Sequence, residues 1–110
     1  MKQYVIDGLR PEDYKTLKKY LVAQYETVTM DGIYWVPIEP DLLTDIQNEH
    51  KECRPHCFAL DLDQHRLACE LLVRTKNRMR CNCIHYATGD QRNWLIGLID
   101  NIFRHLEIKT

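Results

Sequence analysis

The sequence predicts an α+β fold, in which an antiparallel sheet carries three helices packed mainly on one of its faces. Three runs in the second half of the chain alternate apolar and polar residues with the period of two that a strand requires. Apolar residues with helical spacing close the chain, and a similar pattern lies near its start. The sheet is expected to combine a short N-terminal strand, a hairpin and a three-stranded meander.

The chain length of 110 residues suits one domain spanning residues 1–110. Hydrophobic residues make up 45% of the sequence, which is enough for a packed interior rather than a disordered chain. The net charge of -1 gives no overall attraction to nucleic acid or to an anionic membrane. The start lacks the apolar run of a signal peptide, and no segment approaches the ~20 apolar residues of a membrane span. We therefore expect a cytoplasmic protein with no membrane partner.

The first half of the chain is predicted to hold a strand, a helix and a hairpin. Residues 3–7 suit a short strand, and a helix is expected over about 11–25 because Pro11 favours the first helical position. Asp31 and Gly32 form a hairpin-type turn signal between the runs TVTM and IYWVPI.

The second half is predicted to add a helix, the meander and a final helix. A helix is expected over about 40–51. The three strands follow over 57–62, 66–74 and 79–86, and their short connections predict an antiparallel meander. The last helix is expected to run to about 107, since Thr88 and Gln91 have the spacing of a capping box.

Two elements have more apolar surface than a small domain needs. The run 33–38 is apolar on both faces, and the stripe of the last helix covers roughly 200° of its circumference. Large apolar surfaces mark interaction sites, so we expect a protein partner, most simply a second copy of the chain. The alternative is that both surfaces meet inside the monomer. The candidate interface residues are Tyr34, Trp35, Val36, Ile96 and Phe103.

Thiols and imidazoles fall into two groups, in the segments HKECRPHC and CNCIH. Zinc prefers thiolate and imidazole ligands supplied in pairs by tight turns. The candidate ligands are Cys53, Cys57, Cys81 and Cys83. With the three strands as neighbours, Cys57 and Cys81 would lie ~10 Å apart, twice the strand spacing. Only Cys53, in the preceding loop, is expected to reach Cys81.

Packing in the sheet core is the favoured alternative for these thiols, because a free cysteine behaves as a small buried hydrophobe. The strand pattern places Cys69, Cys81 and Cys83 on one apolar face. A catalytic thiol would instead need a base such as His56 or His85. His50 is expected to be solvent-exposed.

A basic run, RTKNRMR, carries the candidate anion-binding residues Arg74, Lys76, Arg78 and Arg80. Such a cluster is able to hold a phosphate backbone. No aromatic residue interleaves with these charges, so a stacking platform for bases is missing. We therefore expect a solvated hairpin tip and no nucleic-acid partner.

The segments DGIYWVPIEPDLLT, EHKEC and LACELLVRTKNRMRCNCIHYAT together resemble small bacterial single-domain proteins with no assigned activity. The resemblance extends from about residue 30 to residue 107. It implies a small single domain and carries over no catalytic residue.

The function that these observations favour is a non-enzymatic interaction or accessory module, because no catalytic signature is present and apolar surface is in excess. This favoured function involves no cofactor. The first alternative is a zinc-binding protein that uses the Cys/His cluster. The second is a small thiol-dependent enzyme.

Overall fold

The structure is a computed structural model that describes residues 2–27 and 32–109. It confirms the α+β class. Its strands are β1 (Gln3–Ile6), β2 (Glu26–Thr27), β3 (Ile33–Pro37), β4 (His56–Leu62), β5 (Leu67–Glu70), β6 (Leu72–Thr75) and β7 (His85–Tyr86). Its α-helices are α1 (Pro11–Gln24), α2 (Asp45–Glu49) and α3 (Gly89–His105), and 3-10 turns lie at Pro40–Leu42 and Lys51–Cys53.

The sheet is antiparallel, and its strands follow the order β1-β5-β4-β3-β2. β5 and β6 are two parts of one extended segment that both pair with β4. The break lies at Leu71, whose N–H donates to the Lys2 carbonyl and whose carbonyl accepts from the Ala87 N–H. The outer neighbour of this segment therefore changes from β1 to β7 at Leu71.

The core lies between one face of the sheet and the helices α1 and α3. The register pairs Tyr34 with Leu60 and Leu60 with Cys69, so these buried side chains share one face. Leu17 of α1 and Leu95 of α3 are fully buried in the same cluster. Burying a leucine side chain in this way stabilises the fold by about 1.5–3 kcal/mol.

The excess apolar surface is largely taken up inside the monomer. Tyr34 and Val36 are each 1% exposed and Phe103 is 6% exposed, so these candidate interface residues lie in the core of the monomer. Trp35 and Ile96 remain half-buried. The wide stripe of α3 thus meets the chain's own core, as the alternative interpretation proposed.

The helix predicted over 40–51 is broken into short pieces. Leu43 has extended backbone angles, and α2 begins only after Thr44. Thr44 and Gln47 form a capping box in which each side chain accepts from the other residue's backbone N–H. This second T-x-x-Q pattern was not used in the prediction, and it restarts the helix there.

The third strand of the predicted meander is wrong over most of its length. Only His85–Tyr86 pairs, as β7, and the preceding residues form a turn closed by the Ile84 N–H and the Cys81 carbonyl at 3.0 Å. Of the hairpin signal, Asp31 lies outside the described residues. Gly32 has a φ of +90°, which glycine adopts without strain, and β2 pairs with β3 as expected.

Candidate metal centre

Two connecting segments bring sulfur and nitrogen donors together beside β4 and β7. The first leaves α2 at His50 and makes the 3-10 turn that ends at Cys53. The second is the turn before β7, which carries Cys81 and Cys83. Because His50 and Cys53 are three residues apart on a tight turn, both side chains are able to reach the same point.

The four donor atoms lie within 4.8 Å of one another. The Sγ atoms of Cys53 and Cys81 are 3.9 Å apart, and His50 Nδ1 lies 4.0 Å from Cys53 Sγ and 3.0 Å from Cys81 Sγ. Two sulfur atoms on a tetrahedral zinc are about 3.8 Å apart, given a Zn–S bond of ~2.3 Å. The observed spacing therefore fits one tetrahedral ion with small adjustments.

The cluster is partly shielded from water. Cys53 is 1% exposed and Cys83 is fully buried, whereas His50 and Cys81 are half-buried. Three thiol groups and one imidazole are soft or intermediate donors, and this set suits zinc better than magnesium or calcium. The residues present are thus able to hold a metal, and zinc fits the donor chemistry.

The thiols of this cluster differ in acidity. The backbone N–H and then the thiol of Cys83 stabilise the Cys81 thiolate and lower the pKa of Cys81 to about 7. Burial, and then the hydrogen bond to Cys81, raise the pKa of Cys83 to about 12. A thiolate is therefore favoured at Cys81 near neutral pH, whereas Cys83 keeps its proton in the absence of a cation.

The side-chain amides of Gln47 and Gln91 form a buried hydrogen-bonded pair next to the cluster. The Gln47 side chain, which is fully buried, accepts from the Thr44 N–H at 3.0 Å and from Gln91 Nε2 at 2.9 Å. Gln47 Nε2 makes a long contact of 3.5 Å with the Cys83 carbonyl. Gln91 is the capping-box residue of α3, so the two capped helix starts and the Cys83 backbone are joined in one network.

The structure brings together three of the four cysteines that the sequence suggested as ligands, namely Cys53, Cys81 and Cys83. The contact between Cys53 and Cys81 is the one that the loop position predicted. Cys57 lies outside the group: it is buried on β4, and its thiol donates to the Pro55 carbonyl at 3.8 Å.

His50 supplies the fourth donor and was missed, because it was expected to be exposed to solvent. The available signal was the H-x2-C spacing in HKEC, which is typical of a pair of ligands on one turn.

The core-thiol interpretation is confirmed for Cys69 and wrong for Cys81. Cys69 is fully buried in the hydrophobic cluster, and burial raises its pKa to about 12. Cys81 is half-buried and contacts His50 instead of the sheet core. Each of the five cysteines, all within the described ranges, is a free thiol.

The two histidines considered as catalytic bases take other positions. His85 Nδ1 lies 2.9 Å from the Tyr86 carbonyl, and its Nε2 lies 3.4 Å from Thr44 Oγ1. His56 is 2% exposed, and within the described part of the chain neither of its ring nitrogens has a hydrogen-bond partner. Burial, followed by the charge of Arg54, lowers the pKa of His56, so its ring is neutral at pH 7.

The basic residues surround the end of β6 and the turn after it. Arg74 forms an ion pair with Glu70, with Nε and Oε1 2.8 Å apart. Lys76 and Arg78 follow in the exposed turn, as the sequence predicted, whereas Arg80, which was expected on the third strand of the meander, is exposed in the same loop. The chain thus presents an exposed basic loop directly before Cys81 and Cys83 of the cluster.

Comparison with known proteins identifies no relative. No family model matches the chain, and no curated protein and no solved structure is significantly similar to it. In the ranges that the structure describes, no helix is both long and apolar enough to cross a membrane.

Proposed function

We propose that this protein is a small zinc-binding domain in which His50, Cys53, Cys81 and Cys83 hold one structural zinc ion. The observation that carries the proposal is the convergence of these four donor atoms within 4.8 Å, from two segments far apart in the sequence. Four protein donors complete a tetrahedron and leave no open position for water or substrate. The role supported best is therefore structural rather than catalytic.

A zinc ion at this position would link two segments of the chain that lie far apart in the sequence. Residues 76–84 contain no helix or strand, and the cluster is one of their attachments to the rest of the fold. The ion would join this loop to the turn after α2 and displace the protons of the thiols that bind it. Binding of the metal would then stabilise the folded state directly.

We further propose that the protein has an accessory role, forms a homodimer and is cytoplasmic. A non-enzymatic accessory role is supported by the closed donor set, and a homodimer is supported by Ile96, a candidate interface residue on α3 that stays half-buried. A cytoplasmic location is supported by the five free thiols, since reducing conditions preserve such groups. Membership of a group of small bacterial proteins rests on the sequence resemblance alone.

The experiment that tests the zinc proposal is metal analysis of matched variants purified without chelator. We expect one zinc per chain in the native protein and loss of zinc in Cys53→Ser and His50→Ala. Cys57→Ser is the matched control, because its thiol lies outside the cluster, and it should retain the metal. Zinc far below one per chain in the native protein, or loss of zinc in Cys57→Ser with retention in His50→Ala, would reject this ligand set.

A further inference from the structure

A groove of about 260 Å³ lies between β3 and the basic loop after β6. Its lining combines an aromatic ring, three cationic side chains and two aliphatic ones, from Trp35, Arg74, Lys76, Arg78, Met79 and Ile84. Met79 is 94% exposed, which is unusual for a large apolar side chain and places apolar surface at the rim. The groove thus offers a ring and positive charge in one place.

The sequence hid this combination because Trp35 and the basic run are far apart along the chain. Trp35 lies on β3 opposite Ala59, so its indole is on the face of the sheet away from the core residues Tyr34 and Leu60. The extended segment that ends at Thr75 pairs with the other side of β4, so the loop after it lies near Trp35. The stacking platform that the basic run lacks in sequence is therefore supplied by another strand.

The loop is held in a defined shape. Thr75 Oγ1 donates to the Arg78 carbonyl at 3.3 Å, and Asn77 Nδ2 donates to the Arg54 carbonyl at 3.4 Å. These bonds close the turn and attach it to the start of β4. The basic side chains consequently project from an anchored backbone rather than from a free tail.

The charge of the groove is local and positive. The chain as a whole has a net charge of -1, whereas three cations line this groove. Glu70 offsets part of the Arg74 charge through their ion pair. Charge complementarity therefore favours an anionic ligand that also carries a flat ring.

We propose that this groove binds single-stranded nucleic acid, with one unpaired base stacked on Trp35 and the adjoining phosphates near Arg74, Lys76 and Arg78. A base stacks on an aromatic side chain regardless of its identity, and basic residues follow the backbone. The volume suits one base rather than a larger ligand, since drug-sized pockets begin at about 300 Å³. A duplex does not offer the unpaired base that this platform requires. The proposal does not depend on the identity of the metal.

Tryptophan fluorescence tests the stacking step directly. The chain has two tryptophans, so Trp94→Phe leaves Trp35 as the sole reporter. Titration with a mixed-sequence 12-nucleotide RNA, and with DNA of the same sequence, should quench this emission. In the converse variant Trp35→Phe, the emission of Trp94 should not change, although RNA still binds by anisotropy. Unchanged Trp35 emission on saturation by the RNA would overturn the stacked geometry.

Anisotropy with the labelled RNA then separates stacking from charge. Trp35→Ala should weaken binding by roughly 5- to 150-fold, while Trp35→Phe should retain most of it because it keeps a ring. With three cations in contact, the slope of log K against log salt should be about -2. Equal affinity for Trp35→Ala and the native protein would contradict the proposal, and so would equal binding of a duplex or of a polyglutamate peptide.

A charge variant keeps the test valid if Trp35→Ala does not fold. Lys76→Gln with Arg78→Gln changes two exposed loop residues, and it should reduce the salt slope by about 1.4, or 0.7 for each lost phosphate contact. Lys15→Gln with Lys19→Gln on exposed positions of α1 makes the same change in net charge elsewhere, and it should leave the slope unchanged. Equal effects of both pairs would show attraction to overall charge and reject the groove.

Discussion

The buried amide of Gln47 offers a direct test of how the fold supports the cluster. In Gln47→Met the volume is nearly kept, but the Thr44 N–H loses its acceptor, Gln91 Nε2 keeps only the Leu42 carbonyl, and the Cys83 carbonyl loses its long contact. Each buried group left without a partner costs ~1–3 kcal/mol. The Thr44 N–H and one of the two Gln91 Nε2 hydrogens lose their acceptor, so we expect the free energy of unfolding to fall by about 2–6 kcal/mol.

Urea unfolding at a fixed, buffered zinc concentration measures this loss. Gln24→Met, at an exposed position of α1, is the matched control and should change the free energy of unfolding by no more than about 0.5 kcal/mol. A loss below 1 kcal/mol in Gln47→Met would show that the amide pair is not the hydrogen-bonded network described.

The same variant should also affect the metal. Groups that hydrogen-bond to a metal-ligating residue typically increase metal affinity 10- to 100-fold. Gln47→Met should therefore weaken zinc binding within about that range, whereas Gln91→Met, which does not contact Cys83, should weaken it less at a comparable loss of stability. Equal zinc affinities for Gln47→Met and the native protein would contradict a role of Gln47 in positioning Cys83.

Three further predictions concern thiols and imidazoles. Burial raises the pKa of Cys69 to about 12, so the stability that its protonated thiol contributes is complete below about pH 9 and is lost as the pH rises towards 12. Cys83 has a similarly raised pKa, so in urea unfolding between pH 9 and 10.5 Cys69→Ala should reduce the fall in the free energy of unfolding without abolishing it. Because burial lowers the pKa of His56, the free energy of unfolding should fall as the pH drops below about 6.5, by at most ~1.4 kcal/mol per pH unit. At the same zinc concentration, His56→Phe should remove this contribution to the pH dependence. Once chelator is added, iodoacetamide should label Cys81 first, since Cys53 and Cys83 are buried. Mass spectrometry of the zinc-loaded protein should find all three cysteines unlabelled. Rapid labelling at saturating zinc would argue against coordination.

The elements that the sequence predicted well are those with local signals. α1 was found from Pro11 and helical spacing, and α3 from the Thr88–Gln91 capping box, because these patterns act within a few residues. The extended segment 66–74 was found by its alternation. Its break at Leu71 was not predicted, since it depends on two neighbouring strands that meet there from distant parts of the chain.

The candidate site was predicted only in part for a related reason. Alternating Met79, Cys81 and Cys83 have the period of a strand, yet they belong to a turn, and residue spacing alone does not separate the two. The choice between His50 and Cys57 as the fourth donor depends on how the turn after α2 is placed against the turn before β7. That placement is a tertiary property, as is the approach of Trp35 to the basic loop.

X-ray absorption at the zinc edge of the purified protein tests the central claim most directly. His50, Cys53, Cys81 and Cys83 predict a first shell of three sulfur atoms at ~2.3 Å and one nitrogen at ~2.0 Å, with imidazole scattering beyond it. In His50→Ala the nitrogen contribution should disappear, whereas in Cys57→Ser the spectrum should be unchanged. A shell of four sulfur atoms, or one made of oxygen from solvent, would contradict the assignment.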